Sequence, residues 1–313
     1  MPLFDWRDLE PALLTGIWEE QASRWSDRLF WDAGGNWAQV EEQRCAGRLP
    51  GLALLHGREI AAWSFFLVHQ DTLQIGAFES DSSASTRILL DGALGAVDAS
   101  VTPSGAMLFA FSAAPGLVPA LVARGFDTER YLHLVRDTAA LRPERAMATW
   151  EPGSAAQVPA LLAAAYGPPV PTRPFARHSR MDEWREYAAQ LLGSEACGTF
   201  EPGLSASVLS PAGVLEGVVL TTVVSPTTAH IAQVAVDPSR RGGGAATRLV
   251  RAVLEQARAA GYDRVSLLVS ERNTAARRLY ARLGFNETAS FIAAGRPGAS
   301  TRQAADVAHR ATV

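Results

Sequence analysis

The sequence predicts an α/β protein made of two similar halves. Its 313 residues correspond to two ordinary globular domains, at roughly 150 residues per domain. A hydrophobic fraction of 48% is enough for two packed cores and excludes a disordered or fibrous chain. Short apolar and β-branched runs alternate with longer helical segments, and motifs of the first half return in the second.

The repeat is visible in the spacing of short motifs. Gly125-Phe126 and Gly284-Phe285 each end an apolar helical segment and lie 159 residues apart. Cys45 and Cys197 are separated by 152 residues, and each lies shortly before a predicted strand. These offsets are close to half the chain length and indicate a duplicated domain. We predict three segments: a first domain over 1–140, a second domain over 146–295 and a loosely held tail over 296–313.

In the first half, apolar and β-branched runs predict five strands, and helical periodicity predicts two helices. The strands are Leu52–Leu55, Ile60–Val68, Thr72–Phe78, Met107–Phe111 and, as the closing strand, Leu132–Val135. The helices are Ala84–Ala99 and Leu117–Arg124.

The second half repeats this order with longer pieces. Its strands are Met147–Trp150, Leu204–Leu209, Val214–Val224, Ala229–Val236, Arg264–Val269 and, closing the sheet, Thr288–Ala293. Its helices are Ala155–Ala165, Asp182–Leu192, Gly242–Ala260 and Thr274–Leu283, the last with Gly284 as its C-cap.

Composition excludes several classes of function. A net charge of −3 gives no long-range field for nucleic acid or an anionic membrane, so neither is an expected partner. All 29 basic residues are arginine, which excludes any lysine-based chemistry. The two cysteines have no metal-ligand partners at short spacing, so we expect buried or half-buried structural thiols and no metal. The acidic N-terminal stretch does not fit a signal peptide, and no apolar run could span a membrane, so we expect a soluble, cytoplasmic protein.

The most informative stretch is the passage from Val234-Ala235-Val236 through Pro238 and Arg240-Arg241 into the glycines before a long helix. The first N–H groups of a helix are unsatisfied, its dipole is positive there, and glycines let an anion approach the backbone. The stretch therefore predicts a cradle for phosphate. A flexible turn is the plainer interpretation, but a turn does not need the flanking arginines.

Two motifs of this half resemble the GNAT superfamily of N-acetyltransferases. The run from Arg241 to Ala246 matches the family's R/Q-x-x-G-x-G/A pyrophosphate loop. The second motif is Asn273-x-x-Ala276-x-x-Leu279-Tyr280-x-x-Leu283-Gly284-Phe285, at the distance the family has. The resemblance is strong over Glu216–Phe291. It implies two tandem GNAT-type domains, each a mixed, mostly antiparallel sheet flanked by helices.

The resemblance also implies roles for individual residues, with acetyl-CoA as co-substrate. Backbone groups of Val234, Ala235 and Val236 would hold the pantetheine arm. The pyrophosphate would lie on Arg241, Gly242, Gly243, Gly244, Ala245, Ala246 and Thr247. Asn273 would reach the pantetheine or the loop opposite, although an N-cap alone also explains it. Tyr280 would protonate the departing thiolate, or else be a core aromatic. For the general base the nearest carboxylate is Glu216, while His230 and Gln233 are the polar residues on the strand itself. An amine that is already neutral at the site would need no dedicated base.

The first half lacks every cofactor feature that can be compared. After the strand Thr72–Phe78 the chain carries Glu79 and Asp81 instead of glycine and arginine, and these would repel a pyrophosphate. We expect a degenerate domain without the acetyl-CoA loop, with a structural or substrate-shaping role. Its tryptophans would either line an acceptor cleft or pack in the core.

The sequence thus predicts an N-acetyltransferase that moves an acetyl group from acetyl-CoA to an amine of a small molecule or peptide. Direct attack in a ternary complex is expected, because neither cysteine is expected in the cleft. The chain would be a monomer or homodimer. A catalytically silent CoA-binding or regulatory protein is the alternative, and a Rossmann-type nucleotide protein is a weaker one.

Overall fold

The computed structural model describes residues 2–297, except 70, 97–102, 104, 141–147 and 194–196. Its strands are β1 (Leu3–Asp5), β2 (Gly51–His56), β3 (Glu59–His69), β4 (Thr72–Ser80), β5 (Gly105–Ala110), β6 (Asp127–Asp137), β7 (Thr199–Phe200), β8 (Ala206–Leu209), β9 (Leu215–Ser225), β10 (Thr228–Val236), β11 (Arg264–Ser270) and β12 (Asn286–Pro297). Its α-helices are α1 (Pro11–Leu29), α2 (Gly34–Cys45), α3 (Ser83–Gly95), α4 (Leu117–Val122), α5 (Val158–Tyr166), α6 (Met181–Leu192), α7 (Ala245–Ala259) and α8 (Thr274–Arg282).

The two halves have the same order of elements. The series β2-β3-β4-α3-β5-α4-β6 corresponds to β8-β9-β10-α7-β11-α8-β12. In the first series β4 and β5 pair in parallel, and in the second β10 and β11 do so. The other strand pairs of the described sheet are antiparallel. The predicted α/β class, with mixed and mostly antiparallel strands in a tandem arrangement, is confirmed.

The two halves share one continuous twelve-stranded sheet because they exchange their last strands. The strand order is β1-β2-β3-β4-β5-β12-β6-β11-β10-β9-β7, with β8 beside β9. Strand β6 therefore pairs with β11 of the second half, and β12 lies between β5 and β6. The expectation that each half closes its own sheet is wrong. The division at 140–146 stays a prediction, since the pairing of the sheet crosses it.

Helices cover both faces of the sheet. On one face of the second half, α7 and α8 bury Leu249, Val253 and Tyr280 against β10 and β11. On the other face, α5 and α6 pack Leu162 and Trp184 against β9. The cleft described below therefore opens between two packed layers that fix its walls.

The tryptophans of the first half form a packed cluster. Trp6, Trp18, Trp37 and Trp63 meet in stacked and edge-to-face contacts with ring centroids 5.3–6.2 Å apart. They join α1 and α2 to β2 and β3. Of the two uses expected for these residues, the structure shows core packing.

Several predicted elements differ or lie outside the described residues. Residues 148–150 form no strand, although the Thr149 carbonyl accepts a hydrogen bond from the Ser207 N–H at 3.0 Å. The long helix begins at Ala245 rather than Gly242, because Gly244 adopts a left-handed conformation. The predicted joint around 141–145, the helical residues 97–99 and the tail from 298 onward lie outside the described residues.

Candidate active site

The site begins where two parallel strands part. Strands β10 and β11 pair only over Thr228–Ile231 and Arg264–Leu267. The pairing of β10 with β9 continues to Val236, with a register shift just after Ile231. Among the described residues, the edge of β10 from Ala232 onward thus has no strand partner on the β11 side. A cavity of about 1230 Å³ opens there, lined by residues of both halves.

The predicted phosphate cradle has free donors. The N–H groups from Gly242 to Thr247 make no hydrogen bond to any other described residue, and no side chain caps α7. Gly242 and Gly244 have φ values of +84° and +76°, which other residues rarely adopt. The Arg241 guanidinium donates to the Ala165 carbonyl at 2.6 Å, which places a positive charge beside the loop. Free amides, a helix N-terminus and an arginine fit a pyrophosphate.

The structure brings most of the predicted site residues together. Those that line the cavity are Val234, Ala235, Val236, Arg241, Ala246, Asn273 and Tyr280. The other residues of the loop and first helical turn are not lining residues, but they adjoin Arg241 and Ala246 in the chain: Gly242, Gly243, Gly244, Ala245 and Thr247. Glu216 is the exception and is treated below.

Asn273 is the N-cap of α8. Its side-chain oxygen accepts a hydrogen bond from the Ala276 N–H at 3.1 Å. The capping interpretation is confirmed, and the contact with pantetheine stays a prediction.

Tyr280 combines a packed ring with an available hydroxyl. Its ring meets Phe285 edge-to-face at 5.7 Å, and the residue is 7% exposed. The hydroxyl makes no hydrogen bond to a described residue, and burial raises its pKa well above the usual range. A protonated phenol without a partner, in the wall of the cavity, is available to a leaving group.

Known proteins resemble parts of this chain. Residues 165–285 match the acetyltransferase (GNAT) family. These residues form a GNAT domain. Mycothiol acetyltransferase of Salinispora tropica is 38% identical over 123 residues, which is 38% of this chain and 39% of that protein. Mycothiol acetyltransferase of Streptosporangium roseum is 52% identical over 52 residues, or 17% of this chain and 15% of that protein. The chain thus matches well under half the length of these relatives.

Solved structures extend the likeness of fold to both halves. A GCN5-related N-acetyltransferase from Sphaerobacter thermophilus has a TM-score of 0.67 at 16% identity, covering 95% of this chain and 96% of that one. A tandem GNAT protein from the clavulanic acid biosynthesis pathway has a TM-score of 0.52 at 16% identity, covering 80% and 83%. At such identities the likeness concerns the fold alone.

Glu216 does not reach the cavity of the GNAT domain. Its carboxylate pairs with Arg240 at 2.7 Å near the start of β9, and it is not among the residues that line the cleft. A carboxylate that is paired with Arg240 and does not line the cavity is poorly placed to take a proton from an amine there. This position does not support the role of general base, and the function proposed below does not use Glu216.

The two alternatives on β10 are also occupied. Gln233 accepts a hydrogen bond from the Tyr166 hydroxyl and donates one to the Tyr187 hydroxyl. The His230 Nδ1 contacts the Ser266 hydroxyl at 2.9 Å, and burial lowers the pKa of His230 to about 3. An engaged amide and an imidazole of such low basicity are poor acceptors for an amine proton.

Two buried carboxylates in the cavity wall were missed by the sequence analysis. Glu129, on β6, accepts hydrogen bonds from the hydroxyls of Thr172 and Ser270. Glu183, on α6, is bound by the His178 ring and by backbone N–H groups at the start of the helix. The spacing of motifs in the sequence does not indicate Glu129. This residue belongs to the first half and lies beside the GNAT domain only because β6 pairs with β11.

The equivalent cleft of the first half is filled by side chains. Strands β4 and β5 pair over Thr72–Ile75 and then part, as β10 and β11 do. The Ser112 hydroxyl donates to the Phe78 carbonyl across the gap. Arg24 of α1 pairs with Glu79 and donates to the Phe111 carbonyl at 2.7 Å. These contacts support a first half without an acetyl-CoA site.

The expectations for the cysteines are wrong in two respects. Both residues are exposed rather than buried or half-buried. Cys197 lines the cavity, although neither cysteine was expected there. Its backbone adopts φ +50° just before β7, a conformation that the sequence pattern did not reveal.

Membrane spans and metal centres are both absent from the described residues. No helix there is long and apolar enough to cross a membrane. No group of three or more histidine, cysteine, aspartate or glutamate residues in this part of the chain is arranged to hold a metal ion.

Proposed function

We propose that the chain is an acetyl-CoA-dependent N-acetyltransferase that acts on an amine of a small molecule or peptide. The observation that carries the proposal is that Arg241 and Ala246, which flank the free N–H groups at the start of α7, line the same cleft as Tyr280. The cleft would hold both ends of the pantetheine arm of acetyl-CoA, which are the pyrophosphate and the thioester sulfur.

In this proposal the cradle fixes the position of the donor. The N–H groups from Gly242 to Thr247 bind the pyrophosphate oxygens, and Arg241 adds charge. The unpaired edge of β10 from Ala232 to Val236 offers backbone groups to the pantetheine, as an added strand would. Holding the thioester at two points leaves the acetyl carbonyl in one orientation for attack.

The Tyr280 hydroxyl acts as the general acid. A neutral amine attacks the acetyl carbonyl, and the C–S bond breaks as the sulfur takes the phenolic proton. A phenol with a pKa above 10 still donates to a thiolate that it contacts, because the developing charge on sulfur is poorly solvated in the cavity.

The acceptor would lie where residues of the first half line the cavity. Gln74, Met107, Phe109 and Tyr131 line it, and all four belong to β4, β5 or β6. The acceptor on which mycothiol acetyltransferases act is the first candidate to test, since two of the relatives carry that name.

The test measures acetyl-CoA binding by calorimetry and thiol release with a panel of amines that includes this candidate. We expect amine-dependent thiol release and an N-acetylated product detected by mass spectrometry. Tight binding of acetyl-CoA without release for any amine would contradict the proposal and favour the silent CoA-binding alternative.

A further inference from the structure

Glu129 is a buried carboxylate that the first half places in the wall of the acetyl-CoA cavity. It lies on β6 opposite Ala293 of β12, two residues before Tyr131, which pairs with Ser270 at the end of β11. The residue is 8% exposed and lines the same cavity as Tyr280. Without the exchange of strands it would not belong to this cleft.

The partners of Glu129 are mostly neutral. One carboxylate oxygen accepts from the Thr172 hydroxyl at 2.6 Å, and the other accepts from the Ser270 hydroxyl. The nearest cation is Arg272, an exposed side chain whose guanidinium lies 3.9 Å away. Each carboxylate oxygen can accept more than one hydrogen bond, so the group retains capacity for a further donor.

The other carboxylates of the cavity wall are committed elsewhere. Glu183 is held by the His178 ring at 2.6 Å and caps the first turn of α6. Glu186 forms a more exposed pair with His69 at 3.0 Å, between the two halves. Within the described residues, Glu129 is therefore the lining carboxylate that is both buried and held mainly by hydroxyl groups.

The loop that carries Thr172 is held firmly. The buried Arg173 donates to the carbonyls of Phe175 and Ala176 and lies 5.0 Å over the ring of Trp184. The Thr172 hydroxyl is thereby fixed in place before a substrate enters, and it orients the Glu129 carboxylate.

We propose that Glu129 binds the ammonium group of the acceptor and takes its proton before attack. The inference rests on the proposed N-acetyltransferase function and supplies the base that β10 lacks. It also makes the site composite, since the general acid comes from the second half and the base from the first. The acceptor class is accordingly an amine that is protonated in solution.

The step balances in atoms and charge. The acceptor R–NH₃⁺ gives one proton to the Glu129 carboxylate and becomes R–NH₂. Its nitrogen forms a bond to the acetyl carbon, and the C–S bond breaks. A second nitrogen proton replaces the one that Tyr280 gives to sulfur, so the products are R–NH–acetyl and CoA–SH, with Glu129 protonated. Glu129 then releases its proton to solvent.

The test compares Glu129→Gln with the wild type and with Glu271→Gln. Glutamine keeps the size and can contact both hydroxyls, with its oxygen accepting from one and its NH2 group donating to the other, but it cannot take the proton. Glu271 is a matched control because it is a partly exposed glutamate paired with Arg130, directly after β11 and outside the cavity. With a fully protonated amine, kcat/KM of Glu129→Gln should fall by roughly 10²–10⁴-fold, while Glu271→Gln should match the wild type.

A series of acceptors with decreasing amine pKa separates a base from a structural glutamate. The defect of Glu129→Gln should shrink as the amine becomes neutral at the assay pH, because no proton then has to be removed. Acetyl-CoA affinity and melting temperature should stay close to the wild-type values. A constant defect across the series, or no defect, would overturn the inference while leaving the proposed function intact. Failure of the wild type to acetylate any amine would instead overturn the proposed function.

Discussion

At the scale of single residues, the Tyr280 hydroxyl decides how the thiolate leaves. In Tyr280→Phe the ring keeps its contact with Phe285, and no hydrogen bond within the described residues is lost. We therefore expect turnover to fall by roughly 10²–10⁴-fold with unchanged acetyl-CoA affinity and melting temperature. Thiol release, calorimetry and thermal melting on one preparation measure all three.

Tyr262→Phe is the control for this prediction. Tyr262 is partly buried against the core of the second half and does not line the cavity. Removing its hydroxyl should therefore leave turnover unchanged. Near-wild-type turnover of Tyr280→Phe with a lowered melting temperature would identify Tyr280 as a core aromatic only.

Single residues were predictable where the chemistry lies in one continuous stretch. Arg241, Asn273 and Tyr280 were found because each belongs to a motif whose spacing is fixed by a loop or a helix. Proximity in sequence indicates Glu216, but it does not reveal that this carboxylate is paired with Arg240 and does not line the cleft. Glu129 was not predictable, because it reaches the site through a strand pairing that joins distant parts of the chain.

At the scale of elements, the loop before α7 depends on the left-handed conformation of Gly244. Any side chain there is strained by about 1–2 kcal/mol, but a Cβ would meet only the Arg248 guanidinium, at an ordinary 3.6 Å. Gly244→Ala should therefore stay folded and bind acetyl-CoA with modest loss. Gly244→Glu has the same strain and also places negative charge at the free N–H groups, so calorimetry should detect no binding.

The two variants separate the causes of any loss. Equal affinity of Gly244→Ala and Gly244→Glu in folded protein would contradict the assignment of this loop as the pyrophosphate site. If Gly244→Ala lost binding while Gly244→Glu kept it, a pyrophosphate site at this loop could not explain the result. Alanine adds the smaller side chain and no charge.

Elements were predicted well where strand and helix patterns are long, and less well where packing decides. The strands β9, β10 and β11 follow apolar and β-branched runs that indicate them directly. Helix α1 was not predicted, although Leu14, Trp18, Trp25 and Leu29 repeat at helical spacing. The partners of β6 and β12 could not be predicted, because a strand pattern fixes which face is buried and not which strand lies beside it.

At the scale of the whole molecule, two buried histidines link stability to pH. His133 and His230 are stacked 6.5 Å apart, and the Trp31 ring packs on His230 at 4.9 Å. Burial lowers the pKa of His133 from 6.5 to about 4 and that of His230 to about 3. Below pH 6.5 the unfolded chain therefore binds more protons than the folded one, and stability decreases as the pH falls toward 4.

We expect each histidine to contribute a loss of about 1.4 kcal/mol per pH unit across this window. Denaturant unfolding of the wild type and of His133→Gln at several values between pH 7 and pH 4.5 measures the slope. The slope should be smaller in His133→Gln and unchanged in His56→Gln, since His56 is exposed. Equal slopes in all three proteins would contradict the role of the buried pair.

The exchange of last strands makes the two halves one folding unit. With β12 between β5 and β6, and β6 beside β11, each half supplies a strand that covers open edges of the other. Cutting the chain within 141–147, at an inserted protease site, breaks no pairing of the described sheet. We expect the two fragments to remain bound through β5–β12–β6–β11 and to elute together in native size exclusion. Their separation under native conditions would contradict the continuity of the sheet, because uncovered edges of β5 and β11 would then have to be tolerated in water.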